Sequence, residues 1–135
     1  MRRLAWLGLA LLGGCVDSGP RACTELDTKP MLIAELFFGR DIEGSAGVTD
    51  ADWNGFLADT LAVRFPAGFT VLDAQGQWLD PERRAVSREA TKYVVIAADD
   101  TAKSLQDLDA VMKNYERRFH QQSIGLLLDH RCGVF

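Results

Sequence analysis

The chain reads as an α+β protein of the ferredoxin-like βαββαβ kind, a four-stranded antiparallel sheet with two helices on one face. Three features lead there. Short apolar runs are bounded by Gly and Pro, two stretches carry apolar residues at helical spacing, and the order is strand, helix, strand, strand, helix, strand.

Met31 to Phe38 is almost wholly apolar and stops at Gly39, as a buried strand would. Thr49 opens a helix as its N-cap, and Asp52 three residues on completes a capping-box-like pattern. Trp53, Phe56, Leu57 and Leu61 line one side of that helix, which Pro66 and Gly68 end. Phe69 to Leu72 is the second strand; Gln75-Gly76 reads as a turn or bulge, with Trp78 beyond it. Pro81 to Arg84 is a polar connection into a third strand, from about Arg88 to Ala97. Asp99, Asp100 and Thr101 suit a helix start, where negative charge meets the positive end of the dipole. Leu105, Leu108, Val111, Met112, Tyr115 and Phe119 form its buried stripe, and Arg117, Arg118 and His120 gather at its C-terminal end. Ser123 to Leu128 supplies the last strand, trailing into Cys132 and Phe135.

Ahead of this domain lies a different composition. Arg2-Arg3, the apolar run Leu4 to Leu12, and Gly13-Gly14 before Cys15 make a secretory signal of the lipoprotein kind over residues 1–14. The run is too short to span a bilayer, which takes about 20 apolar residues. The pattern resembles the bacterial lipobox, in which the cysteine becomes an N-terminus carrying fatty acyl groups such as palmitate. Several acyl chains would hold the protein firmly on the membrane. Val16, rather than an aspartate, after Cys15 favours the outer membrane by analogy with enteric sorting. Residues 15–30 then read as a polar tether, and residues 31–135 as one domain.

The formal charge of −4 becomes −6 once Arg2 and Arg3 leave with the signal, and no basic stripe interrupts it, which argues against nucleic-acid binding. Outside the cytoplasm Cys23 and Cys132 are free to form a disulfide. In a ferredoxin-like sheet the first and fourth strands are neighbours. That places a cysteine before the first beside one after the fourth. His120 and His130 are the two histidines, and no Cys or carboxylate cluster gives them metal spacing, so neither a metal nor a cofactor is expected.

Leu32, Ala34, Leu36 and Phe38 share one face of the first strand, and Ile33 and Phe37 the other. Strand three repeats this, with Val94 and Ile96 opposed to Tyr93 and Val95. A sheet with helices on one side only should carry polar residues on its solvent side. The second face therefore needs a cover, for which a face-to-face dimer is favoured over a ligand. Glu35 interrupts the apolar run, and a buried carboxylate needs a partner or takes up a proton. Lys92 and Glu89 on strand three are candidate neighbours. Pairing with Lys92 would make Glu35 structural; proximity to Glu89 would suit acid–base work. Arg40, ending strand one, reads as a solvated loop arginine or an anion ligand beside Arg64 or Arg88.

The stretches Glu35-Leu36-Phe37-Phe38-Gly39, Val48-Thr49 with Trp53 and Phe56, and Phe65-Pro66-Ala67-Gly68-Phe69-Thr70-Val71 carry a family resemblance. So do Asp73, Gly76, Trp78, Glu89-Ala90-Thr91-Lys92, Tyr115, Phe119, Gln121 and Ser123. From Glu35 to about Ser123 the chain resembles the bacterial domain of unknown function 3574. The resemblance implies small secreted or lipid-anchored proteins and no established activity, so it brings no catalytic residues. Two functions remain. One is a non-catalytic envelope lipoprotein whose open sheet face meets a twin or another protein. The other is a small periplasmic enzyme or ligand-binding module using Glu35, Glu89, Lys92 and Tyr93.

Overall fold

The computed structural model describes residues 23, 25–41, 47–81 and 84–134. The expected signal over residues 1–14 and the expected acylation site, Cys15, lie outside the described residues. Strand β1 spans Lys29–Gly39, starting two residues before the expected domain boundary. A helical segment, α1, follows over residues 50–64, then β2 (Thr70–Asp80), β3 (Ala85–Ala98), α2 (Ala102–Phe119) and β4 (Gly125–Gly133). The strands pair antiparallel in the order β2-β3-β1-β4, the expected ferredoxin-like sheet.

Alternation along β1 sorts the residues by face. Leu32, Ala34, Leu36 and Phe38 are buried with Val94 and Ile96 of β3 under the helices. Trp53, Phe56 and Leu61 of α1 and Leu108, Val111, Tyr115 and Phe119 of α2 close this core. Phe38 is its hub, with its ring centroid 4.8 Å from that of Tyr115 and 5.3 Å from that of Trp53. The Tyr115 hydroxyl, buried with the ring, donates to the Gly39 carbonyl at 2.9 Å and fixes α2 over the end of β1.

Helix starts follow the sequence. Thr49 accepts the Asp52 amide, and the Asp52 carboxylate accepts the Thr49 amide in return, a complete capping box. Thr101 caps α2 by accepting the Ser104 amide. Inside α1 the residues Leu57–Leu61 widen to a π-turn, with the Ala62 amide reaching the Leu57 carbonyl. The Arg64 guanidinium donates to the Thr60 carbonyl in that turn at 3.1 Å.

Three expectations change. Gln75-Gly76 is neither turn nor bulge, because β2 runs straight through it, with Gly76 opposite Glu89. A Cβ on Gly76 would come within 3.2 Å of Thr91 Oγ1, so the glycine serves close approach rather than chain reversal. The third strand starts at Ala85, not Arg88, and pairs there with Asp80 at the end of β2. Leu105 is exposed; the buried stripe of α2 begins at Ser104 and continues through Leu108, because Leu105 lies one residue, about 100° of helix, off that line.

Cys23 and Cys132 form the expected disulfide, with Cα atoms 5.1 Å apart. Cys132 stands opposite Pro30 in the β1–β4 ladder, and the Thr28 amide turns back to the Cys23 carbonyl. The bridge thus closes beside the start of β1.

Candidate functional site: the open face of the sheet

The face turned away from the helices carries the odd-numbered residues of β1, β3 and β4 and the even-numbered ones of β2. Its middle row is Leu72, Tyr93, Phe37 and Gly125, in strand order. The Phe37 and Tyr93 rings touch, with centroids 5.0 Å apart. Phe37 also leans over Gly125, where a Cβ would meet its side chain at 3.2 Å, so the bare glycine makes room for the ring. Among the described residues no helix lies over this face, although Met31 and Thr91 toward its two ends are buried. Phe37 is 38% exposed, Leu72 47%, Trp78 49% and Leu127 58%.

One row along lies Glu35, opposite Val95 on β3 and Leu127 on β4. Its carboxylate neighbours the Tyr93 hydroxyl, and partial burial together with the interaction with Glu35 holds the Tyr93 pKa above the usual phenol range. The Arg131 guanidinium lies near both groups. Its Nε donates to Asp129 Oδ2 at 2.8 Å, and this bond, with the Asp129, Glu35 and Tyr93 charges, strengthens its hold on the proton. The same bond lowers the pKa of Asp129. Ile33, Leu127 and Leu128 wall a hollow of about 320 Å³ around Glu35, Asp129 and Arg131.

The structure separates the residues singled out in the sequence. Glu35 and Tyr93 come together. Lys92 stands on the opposite face, because one step along a strand reverses the side chain. Its ammonium meets Asp73 at 2.5 Å and lies 3.9 Å from Asp50. Glu89 shares the open face with Glu35 but pairs with Gly76, six residues along β3 from Val95, roughly 20 Å away. It lies over Gly39 and accepts the Asp41 amide at 3.3 Å, and burial raises its pKa. Glu35 therefore meets neither Lys92 nor Glu89.

Arg40 is not a solvated loop residue, nor does it join Arg64 or Arg88. Its Nε and Nη2 donate to the Val48 carbonyl, and Nη1 pairs with Asp50 at 2.9 Å. Gly47 lies against it with a φ of 75°, and an added Cβ would come within 2.5 Å of the Arg40 carbonyl oxygen, so only glycine fits. Arg40, Lys92, Asp50 and Asp73 form an ion-pair network that fixes the start of α1 on the sheet. It is structural.

A second hollow, of about 430 Å³, lies between Phe65–Gly68, the end of β3 and the start of α2. Thr101 and Ser104 on its rim are already engaged in capping α2. Among the described residues no group of His, Cys, Asp and Glu could hold a metal ion, and no helix is long and apolar enough to cross a membrane.

The family model described as a protein of unknown function, DUF3574, matches residues 33–135. The chain belongs to that family. The matched stretch of the DUF3574 domain holds Glu35, Tyr93, Asp129, Arg131 and Cys132, while Cys23 precedes it. Among solved structures, a phage SAM lyase in complex with S-methyl-5'-thioadenosine is similar in fold, with a TM-score of 0.55 at 15% identity over 78% of this chain and 90% of the lyase. The apo state of a phage SAM lyase gives 0.54 at 16%, over 75% and 81%. CutA from Synechococcus elongatus, complexed with Bis-Tris, gives 0.49 at 12%, over 77% and 83%. No curated protein matches the DUF3574 chain.

Sequence reasoning missed Arg131 and Asp129. The signal was present: the first and fourth strands had been set side by side, and Leu127, Asp129 and Arg131 alternate onto one face. Ending the last strand at Leu128 hid it, since β4 runs on to Gly133.

Proposed function

We propose that this DUF3574 protein is a non-catalytic interaction domain of a cell-envelope lipoprotein, held to the membrane through Cys15 and working through the open face of its sheet. One observation carries the reading: β1 and β3 are apolar on both faces, yet helices cover only one. Monomeric soluble proteins seldom leave such a contiguous apolar patch bare. The basic tip, apolar run and Gly13-Gly14-Cys15 support secretion and lipidation. The Cys23–Cys132 bridge is in keeping with an oxidising compartment.

A photo-activatable cross-linker placed at Leu127 in living cells tests this, with Val63, exposed on α1, as the control position. Protein adducts are expected at 127 and not at 63. Bare protein at both positions overturns the reading.

A second reading, a ligand-binding module or small enzyme, draws on the hollow beside Glu35. Two carboxylates and a guanidinium line it against apolar walls, with the Tyr93 phenol interacting with Glu35 beside it, the usual make-up of a small-molecule site. Glu89 and Lys92 have no part in it. The likeness to the phage SAM lyase extends to fold alone. Under this reading Glu35→Gln abolishes binding of a small molecule while leaving stability nearly unchanged. A large loss of stability with no effect on binding returns Glu35 to a structural role.

A further inference from the structure

β2 and β3 outrun the rest of the sheet. The β1–β3 ladder ends at Gly39 opposite Thr91, while the β2–β3 ladder continues for six more pairs, from Gln75–Ala90 to Asp80–Ala85. This two-stranded arm projects roughly 20 Å beyond β1. It carries Trp78, Leu79 and Val86, all exposed. An isolated two-stranded ribbon is marginal in water, so an arm of this length gains from a surface to lie on.

Trp78 is on the open side of the arm, in line with Leu72 and Tyr93 by the two-residue period. Arm and open face thus form one apolar stripe. Phe37, Leu72, Trp78 and Leu127 alone leave on the order of 400 Å² uncovered, taking aromatic and large aliphatic side chains at about 150–250 Å² each. That is half of the roughly 800 Å² a standard interface buries per partner.

The ends of the stripe are chemically complementary. Trp78 pairs with Ser87, six residues along β3 from Tyr93. Arg131 pairs with Met31, six residues along β1 from Phe37, in the opposite direction. With the Phe37–Tyr93 pair at the centre, Trp78 and Arg131 occupy opposite corners at equal distance along the strands. A two-fold axis lying between two such faces, close to perpendicular to the strands, exchanges those corners. It would set each indole over the other copy's guanidinium, a cation–π pairing, and cross the strands at a modest angle, as in aligned sheet packing. A self-matching patch is what an isologous dimer requires.

We infer that a second copy of this chain covers the open face, with the hairpin arm laid across the sheet so that Trp78 meets the partner's Arg131. The inference rests on the proposed interaction role and names the partner. Native mass spectrometry of the full chain released from detergent tests it, beside Trp78→Ala, Arg131→Glu and, as a control, Val63→Ser. Trp78 and Arg131 are outside the buried core, and unchanged far-ultraviolet circular-dichroism spectra would confirm that the variants fold. A dimer is expected for the parent chain and the control, with dissociation constants raised about tenfold or more by each of the other two. A chain that stays monomeric at tens of micromolar, or a dimer indifferent to both substitutions, overturns the inference. If the monomer still cross-links to a different protein from position 127, the second copy is excluded and the interaction role survives.

Discussion

Removing the Cys23–Cys132 bridge should destabilise the domain more than any surface change. The two cysteines lie 109 positions apart. In the chain-entropy account a cross-link over about 100 residues restricts the denatured ensemble by about 4.7 kcal/mol. The native side loses little. The β1–β4 ladder from Lys29 to Phe37 does not depend on the sulfur bond, and Cys23 lies before β1 begins. The whole effect therefore falls on the denatured state. With a urea m-value of about 2 kcal/mol per molar, the unfolding midpoint should drop by about 2 M in the Cys23→Ser, Cys132→Ser double variant. Urea titration followed by far-ultraviolet circular dichroism measures it, and oxidised parent treated with reductant should match the variant. A midpoint shift under about 0.5 M would refute the reasoning, because it would mean that β1 and β4 remain associated in the denatured chain.

Thr49→Ala removes half of the capping box at α1 and should cost about 1 kcal/mol in the same titration, with no change in m-value. Leu36→Ala opens a cavity at a fully enclosed point of β1 and should cost about 3 kcal/mol or more by urea titration. Glu89→Gln tests a sign. Burial raises the folded-state pKa of Glu89, so its charged form weakens the fold at neutral pH, and that penalty disappears as pH falls through the raised value. The glutamine variant should equal or exceed the parent at pH 7 and match it below about pH 4 in paired urea midpoints. A parent that is clearly the more stable at pH 7 would show that the Asp41 amide bond outweighs burial.

The chain announces most of its architecture. Thr49 with Asp52, Thr101, Gly39 and the alternation of β1 are local signals, each read from a few neighbouring residues, and the structure uses each as expected. Gln75-Gly76 misled because glycine marks permission rather than obligation. A turn and a close strand contact leave the same trace in sequence, and only the Thr91 side chain across the ladder distinguishes them. The candidate site was half legible. Parity alone places Glu35 and Tyr93 on one face, but which β3 residue faces Glu35 depends on register, and register is set by the whole sheet. Lys92 was legible as opposed to Glu89, and not as the partner of Asp73, since that contact needs β2 to run on past Leu72, where the second strand was expected to end. Arg40 was misjudged because its loop closes on itself through Gly47, a contact between chain segments rather than a local pattern.

The bridge also governs reach. Eight residues separate positions 15 and 23, a leash of at most about 28 Å, whereas the backbone route from position 15 to the first residue of β1 could extend to about 50 Å. Were residue 15 lipidated as proposed, the sulfur bond would tie the corner where β1 begins and β4 ends close to the bilayer. The hairpin arm, built from the far end of the strands, points away from that corner. On that proposal, whatever meets the arm is met on the outward side.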